Sequence, residues 1–250
     1  MSASVHRFLP DAGEEELDEL YLDLDIPAGD RRPHVYLDMV ASVDGAATLR
    51  GRTEGLGGAA DGVVFSRLRE TCDAVLVGAG TVRIEDYGPP RTRPGGRERR
   101  RARGLEPVAT IVVVTASGGL DPDARLFSDP ERRPVVLAPE DAPVSRLEAL
   151  ADVADVVRVG TGRVDLARAL ERLRAERGWQ RLLCEGGPSL NRALLDRGLV
   201  DELFLTVAPV LVGAGDLRIV DGAFRGAPQG LELTELRACA SELLLRYRVV

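Results

Sequence analysis

Two glycine-bearing turns are the residues in this chain best suited to chemistry. The first, Gly78-Ala79-Gly80-Thr81, directly follows an apolar run at 74–77. The second, Glu185-Gly186-Gly187-Pro188-Ser189, directly follows Leu182-Leu183-Cys184. Glycine lets a backbone approach a ligand closely, and free amides at a helix start favour an anion. In the second turn the glycine pair leaves room for a pyrophosphate, Pro188 suits a first helical turn, and Ser189 brings a hydroxyl near unpaired amides. Glu185 falls at the carboxyl end of a predicted strand, where open α/β sheets place ligand contacts. The structural alternative is a charge partner for the positive end of the helix. The first turn fails as a Rossmann fingerprint, because Arg83 stands where the third glycine belongs. By itself it also fits a plain strand-to-helix turn.

Two further segments complete the set. Residues 39–45, Met-Val-Ala-Ser-Val-Asp-Gly, read as a strand ending in a polar turn at Asp44-Gly45. Residues 208–215, Ala-Pro-Val-Leu-Val-Gly-Ala-Gly, place a proline in an apolar strand, which implies a bulge or an edge.

Composition narrows the chemistry. None of the 33 basic residues is lysine, which excludes a lysine Schiff base and a P-loop. A net charge of −7 argues against a general binder of nucleic acid or membrane surfaces. With only His6 and His34, and Cys72, Cys184 and Cys239 widely spaced, neither a zinc site nor a disulfide framework is expected. The zinc-deaminase motifs are absent. No apolar run reaches membrane-spanning length and the start lacks a signal pattern, so the expected location is cytoplasmic.

The elements that must position these turns follow from periodicity. Residues 1–30 form an acidic N-terminal extension whose leucines suggest docking on the body or a partner, and 31–250 form one domain. Strands are predicted at 34–42, 73–77, 109–115, 134–138, 156–159, 181–184, 202–212, 231–237 and 241–250, with a break at Pro209. Helices are predicted around 65–71, over 165–177 and over 189–197. This alternation implies an α/β fold with a mixed, mostly parallel sheet flanked by helices, closed by a C-terminal antiparallel hairpin. Residues 91–103, dense in arginine and broken by Pro94, Gly95 and Gly96, read as a solvated mobile loop. The functional alternative there is contact with a phosphorylated ligand.

Taken in order, the four segments resemble the reductase domain of riboflavin biosynthesis, which occurs within bifunctional deaminase-reductases and as a stand-alone pyrimidine reductase. The matching stretches are 39–45, 74–86, 111–117 and above all 182–215, within a resemblance spanning about 33–250. It implies a dihydrofolate-reductase-like fold, NADPH as cofactor, a homodimer, and a ribosylamino-pyrimidine 5′-phosphate reduced at ribose C1. Residue by residue, it places Ser42, Gly78, Gly80, Thr81, Glu85, Ser117, Val164, Gly186, Gly187, Pro188, Ser189 and Leu190 at the cofactor. It places Glu185 and Asp86 at the substrate, with Arg83 or Arg91 gripping the phosphate. Asp44 and Glu185 are the catalytic candidates, Asp44 as a proton donor directly or through water. The family commonly has Asp-Asp-Pro where this chain has Glu85-Asp86-Tyr87-Gly88, a departure on the expected substrate side. Two other functions stay open: a pterin reductase, for which the first helix offers Asp61 and Glu70, and a non-catalytic NADP(H)-binding regulatory protein.

Overall fold

In the computed structural model the described residues are 3–129, 132–213, 217–222 and 227–250. The apolar runs become an eleven-stranded sheet. Its strands are β1 (Ser4–Leu9), β2 (Gly13–Glu16), β3 (His34–Ser42), β4 (Ala74–Gly78), β5 (Thr110–Val114), β6 (Val135–Ala138), β7 (Asp155–Arg158), β8 (Arg181–Cys184), β9 (Glu202–Ala208), β10 (Leu231–Cys239) and β11 (Glu242–Val249). The spatial order is β2-β1-β10-β11-β9-β3-β8-β4-β5-β6-β7. From β9 to β7 every neighbouring pair is parallel. The other half, from β2 to the β11–β9 pair, is antiparallel. The fold is therefore the mixed α/β sheet expected from the alternation of elements, with the antiparallel hairpin β10–β11 at the end of the chain.

Six α-helices among the described residues connect or cover it: α1 (Ala59–Arg69), α2 (Ala79–Ile84), α3 (Gly96–Ala102), α4 (Val144–Ala151), α5 (Leu166–Arg177) and α6 (Pro188–Leu195). Side chains alternate across a strand, so each central strand feeds both faces. Tyr36, Val75, Val77, Leu183 and Phe204 pack with α1 residues Val63, Val64 and Leu68 on one face. Val35, Leu37, Leu76, Leu182 and Cys184 pack with α5 and α6 on the other. Local signals set the helix ends: Asp165 accepts from the Arg168 amide at 3.2 Å, and Gly178 (φ 72°) closes α5 in the left-handed region.

One expectation is extended and another meets a different outcome. The acidic N-terminal segment docks on the body through Leu17, Leu20 and Leu24, as its leucines suggested, and beyond that it supplies β1 and β2, with β1 paired along β10. Glutamates at 14–16 gave little strand signal; pairing and the Arg237–Glu15 contact at 2.9 Å hold the segment in place. The arginine-rich stretch 91–103 contains α3, so it is not a mobile loop. Its arginines satisfy buried acceptors: Arg99 grips Glu70 at 2.6 and 2.7 Å, and Arg103 donates to the Leu22 and Leu24 carbonyls. Arg100 is fully buried and donates to the carbonyls of Glu106, Arg69 and Cys72. Composition marked these residues as solvated, but carbonyls at the end of α1 gave them partners.

No helix among the described residues is long and apolar enough to cross a membrane. Arg100→Ala leaves three carbonyls without their donor. It should lower unfolding free energy by about 3 kcal/mol, read from urea denaturation of the purified chain. A loss below about 0.5 kcal/mol would contradict this role for Arg100.

Candidate active site

The two glycine turns sit side by side at the carboxyl ends of β4 and β8, which are adjacent parallel strands. The Gly78 amide donates to the Gly186 carbonyl at 2.8 Å, and the Glu185 amide to the Leu76 carbonyl at 3.0 Å. A Cβ on Gly78 would stand 3.4 Å from the Gly187 nitrogen, and one on Gly187 only 2.6 Å from the Thr81 hydroxyl. Gly186 has φ 85°, which favours glycine. These contacts leave a narrow neck lined largely by backbone.

On each side of the neck the cleft widens. One lobe, of about 580 Å³, is lined by Asp38, Asp61, Phe65, Tyr87 and Glu185 among others. The second, of about 710 Å³, includes Ser117, Val164, Arg83, Arg163 and Arg197 in its lining. Gly78, Gly80, Ser189 and Leu190 line both, so the two lobes adjoin at the glycine turns. Its ends differ in charge: carboxylates with aromatic rings at one, arginines with hydroxyls at the other.

Glu185 enters the acidic chamber already engaged. Arg69 spans its carboxylate with two hydrogen bonds of 2.7 Å, and the Tyr87 hydroxyl donates to Oε2. Arg69 also donates to the Tyr87 oxygen at 2.7 Å and stacks 4.0 Å from the Phe65 ring centroid. A carboxylate has roughly four acceptor positions, so about one remains for a ligand. Burial opposes the charge on Arg69, but Glu185 and then Tyr87 outweigh it and raise its pKa. Burial, followed by the Glu185 charge, pushes the Tyr87 phenol well above its ordinary value. Tyr87 and Arg69 therefore act as fixed donors at neutral pH. The departure at Tyr87 seen in the sequence is thus a contact with the central carboxylate.

The same chamber holds two more carboxyls. Asp61, on α1, is held above the ordinary carboxylate range by burial, against the hydrogen bond from Thr206. A Cβ on Gly57 would collide with it, so that glycine leaves its space. Asp38, on β3, is raised well above that range by burial first and then by Asp61 and Glu185, with Arg69 opposing.

The expected residues distribute as follows. Gly78, Gly80, Ser189 and Leu190 form the neck, Ser117 and Val164 line the arginine lobe, and Thr81, Glu85, Gly186, Gly187 and Pro188 line the chamber. Glu85 accepts the Thr53 amide at 2.9 Å. Arg83, expected at the substrate phosphate, instead turns to the other lobe and donates to the Gly119 carbonyl at 2.9 Å. Helix α2 carries it away from Glu185. Asp86 is exposed beside Arg125, Arg91 is exposed, and neither lines a lobe. Ser42 and Asp44 also stand outside both linings. The Ser42 hydroxyl donates to Asp44 at 2.6 Å, and the Val212 and Gly213 amides add bonds of 3.1 and 2.7 Å. These donors lower the exposed Asp44 carboxyl to about 2. It is ionised at neutral pH and braces the segment after β9, which does not suit the expected proton donor. Ala214 and Gly215, which end that segment, lie outside the described residues.

Sequence reasoning missed Asp38, Arg69, Phe65 and Arg163. Asp38 alone left a trace, as a charge in the apolar strand Val-Tyr-Leu-Asp-Met-Val. Of the two acids weighed for a pterin, Asp61 lines the chamber, whereas Glu70 is buried against Arg67 and Arg99.

Comparison with known proteins agrees with this architecture. The profile of the RibD C-terminal domain matches residues 33–245. A 2,5-diamino-6-ribosylamino-4(3H)-pyrimidinone 5′-phosphate reductase of Methanothermobacter thermautotrophicus is 37% identical over 225 residues, covering 87% of this chain and 99% of the relative. The riboflavin biosynthesis protein RibD of Mycobacterium tuberculosis is 30% identical over 190 residues, covering 76% of this chain and 45% of that longer protein. Among solved structures, a pyrimidine reductase-like protein of Corynebacterium diphtheriae superposes with a TM-score of 0.79 at 29% identity, covering 87% of this chain and 92% of the other. With its two glycine turns, the divided cleft between them and this match over most of its length, the chain belongs to the RibD C-terminal domain family.

Proposed function

We propose that this protein is an NADPH-dependent reductase of a ribosylamino-pyrimidine 5′-phosphate, converting the ribosyl group to ribityl. The observation that carries this reading is the pair of adjoining lobes, one rich in arginine and the other acidic, that meet at the glycine turns. A dinucleotide fits it in parts. Backbone at Gly78, Gly80 and Gly187 leaves room for a pyrophosphate, and Arg83, Arg163 and Arg197 with Ser117 suit a phosphorylated adenosine. The bound cofactor supplies a hydride; the chain supplies binding, orientation and electrostatics.

The acidic chamber suits the pyrimidine. A 2-amino-4-oxo ring edge offers adjacent N–H donors, which a carboxylate such as Asp61 can accept as a pair. The relative from Methanothermobacter is named for a 2,5-diamino-pyrimidinone, a ring of this kind. Glu185, fixed by Arg69 and Tyr87, presents its remaining acceptor position from the opposite wall. Steady-state assays with NADPH and either the ribosylamino-pyrimidine phosphate or dihydrofolate test the substrate class. Turnover of the former only is expected; turnover of dihydrofolate only would overturn the reading.

A homodimer belongs to the same proposal. Leu231, Leu233 and Leu243 on β10 and β11 are exposed apolar side chains that suit a second copy. Leu243→Glu should convert a dimer to monomer in sedimentation velocity, and a wild-type monomer at micromolar concentration would refute the association. Glu185→Gln should leave NADPH affinity within about threefold while lowering kcat/KM about 100-fold, because Arg69 loses its counter-charge against the substrate. Unchanged kcat/KM would remove Glu185 from the reaction. Arg163→Ala should raise KM for NADPH about tenfold and leave KM for NADH nearly unchanged. Equal effects on both would place the 2′-phosphate elsewhere.

A further inference from the structure

Asp38 is a carboxyl in a place built for apolar side chains. It alternates with Tyr36 on β3, so it faces the α1 side of the sheet. Leu37 lies opposite Cys184, which puts Asp38 next to the Glu185 turn as β8 ends. Only 9% of the residue is exposed, and it lines the acidic chamber. Every other carboxyl of that wall has a donor: Arg69 and Tyr87 for Glu185, Thr206 for Asp61, the Thr53 amide for Glu85. Among the described residues, no hydrogen bond reaches the Asp38 side chain. Nor do these carboxyls form a metal cage, since no group of three acidic, His or Cys residues among the described ones converges suitably.

A buried carboxylate without a donor is costly, and the usual remedy is to keep its proton. The charged groups around it act in that direction. Asp61 from α1 and Glu185 beyond β8 disfavour its ionisation, while Arg69 from α1 opposes them but is committed to Glu185. An acid that is neutral at working pH and opens onto the substrate chamber is suited to give a proton.

We propose that Asp38 is the general acid of the reduction, giving its proton to the ribose ring oxygen. This rests on the reductase reading above. In the step, the C1′–O4′ bond breaks, its electron pair goes to O4′, and O4′ takes the Asp38 proton. The exocyclic nitrogen lone pair forms a C=N bond to C1′. C1′ then accepts a hydride, and the C=N pair returns to nitrogen. The sugar gains a hydride at C1′, from the NADPH that is oxidised, and a proton at O4′, and Asp38 regains a proton from solvent.

The test compares wild type, Asp38→Asn and Asp61→Asn across pH. Asp38→Asn should lower kcat at least about 100-fold, with KM for both substrates within about threefold. It should also abolish the alkaline limb of the kcat profile. Asp61→Asn removes one neighbouring charge and should move that limb to lower pH. The apoenzyme gives a second readout. A carboxyl whose folded pKa is raised favours folding fully below its unfolded pKa and loses that contribution as pH rises through the folded value. Asp38→Asn should therefore gain stability relative to wild type at pH 9 and not at pH 4. The infrared band of a protonated carboxyl at neutral pH should also disappear in the variant. A folded Asp38→Asn enzyme that keeps wild-type kcat and the alkaline limb overturns the acid while leaving the reductase reading intact. A failure of wild type to reduce the ribosylamino-pyrimidine overturns that reading and this step with it. If Asp38→Asn does not fold, an unmoved limb in Asp61→Asn overturns the assignment.

Discussion

Arg69 and Glu185 face one another largely shielded from solvent, their side chains 10% and 4% exposed. Much of the site depends on that pair. A buried ion pair gives little net stability, because both charges give up their hydration. Its consequence here is geometric. Two parallel bonds tie the end of α1 to the turn after β8, and Tyr87 closes the triangle from beyond α2. The Arg69 carbonyl is held in turn by Arg100 from α3, so the guanidinium starts from a fixed backbone. Phe65 covers its face. Two helices, α1 and α3, and the Tyr87 segment thus fix one carboxylate beside the cleft.

The divided charge of the cleft follows from the same arrangement. By pairing with Glu185, Arg69 is unavailable to neutralise Asp38 or Asp61, so the chamber keeps an excess of carboxyl groups. Cations collect on the other side of the neck, where Arg83 and Arg163 open towards solvent. At the neck the two turns touch through the Gly78–Gly186 hydrogen bond, and a Cβ on Gly187 would press on the Thr81 hydroxyl. A ligand that passes through the neck must be thin and anionic there. The chemistry of each end is therefore set by which partners the charges already have as well as by which residues are present.

Much of this was legible in the sequence. The central strands and the turns at 78–81 and 185–189 could be located because apolar runs of strand length end in glycine at those points. The strands 34–42 and 181–184 were read with their observed bounds, while the limits of the other predicted strands moved by a residue or more. What stayed hidden depends on contacts distant in sequence. Arg69 meets Glu185 across 116 positions, and no local pattern announces such a pair. Arg99, Arg100 and Arg103 looked solvated because their acceptors, Glu70 and main-chain carbonyls, lie in other segments. Asp44 looked free to move a proton because the amides that hold it come from residues 212 and 213. The β1–β2 hairpin was missed because its residues suit water better than a sheet, and its pairing partner β10 lies more than 200 residues away.

The account joins one cleft to one reaction, and a tracer follows that reaction most directly. With the ribosylamino-pyrimidine phosphate and NADPH deuterated at the transferred position of nicotinamide C4, the product should carry one deuterium, at C1′ of the ribityl chain, by mass spectrometry and proton NMR. A reduced product without deuterium, or with deuterium on the pyrimidine ring, would contradict the assignment of the acidic chamber to the ribosylamino group.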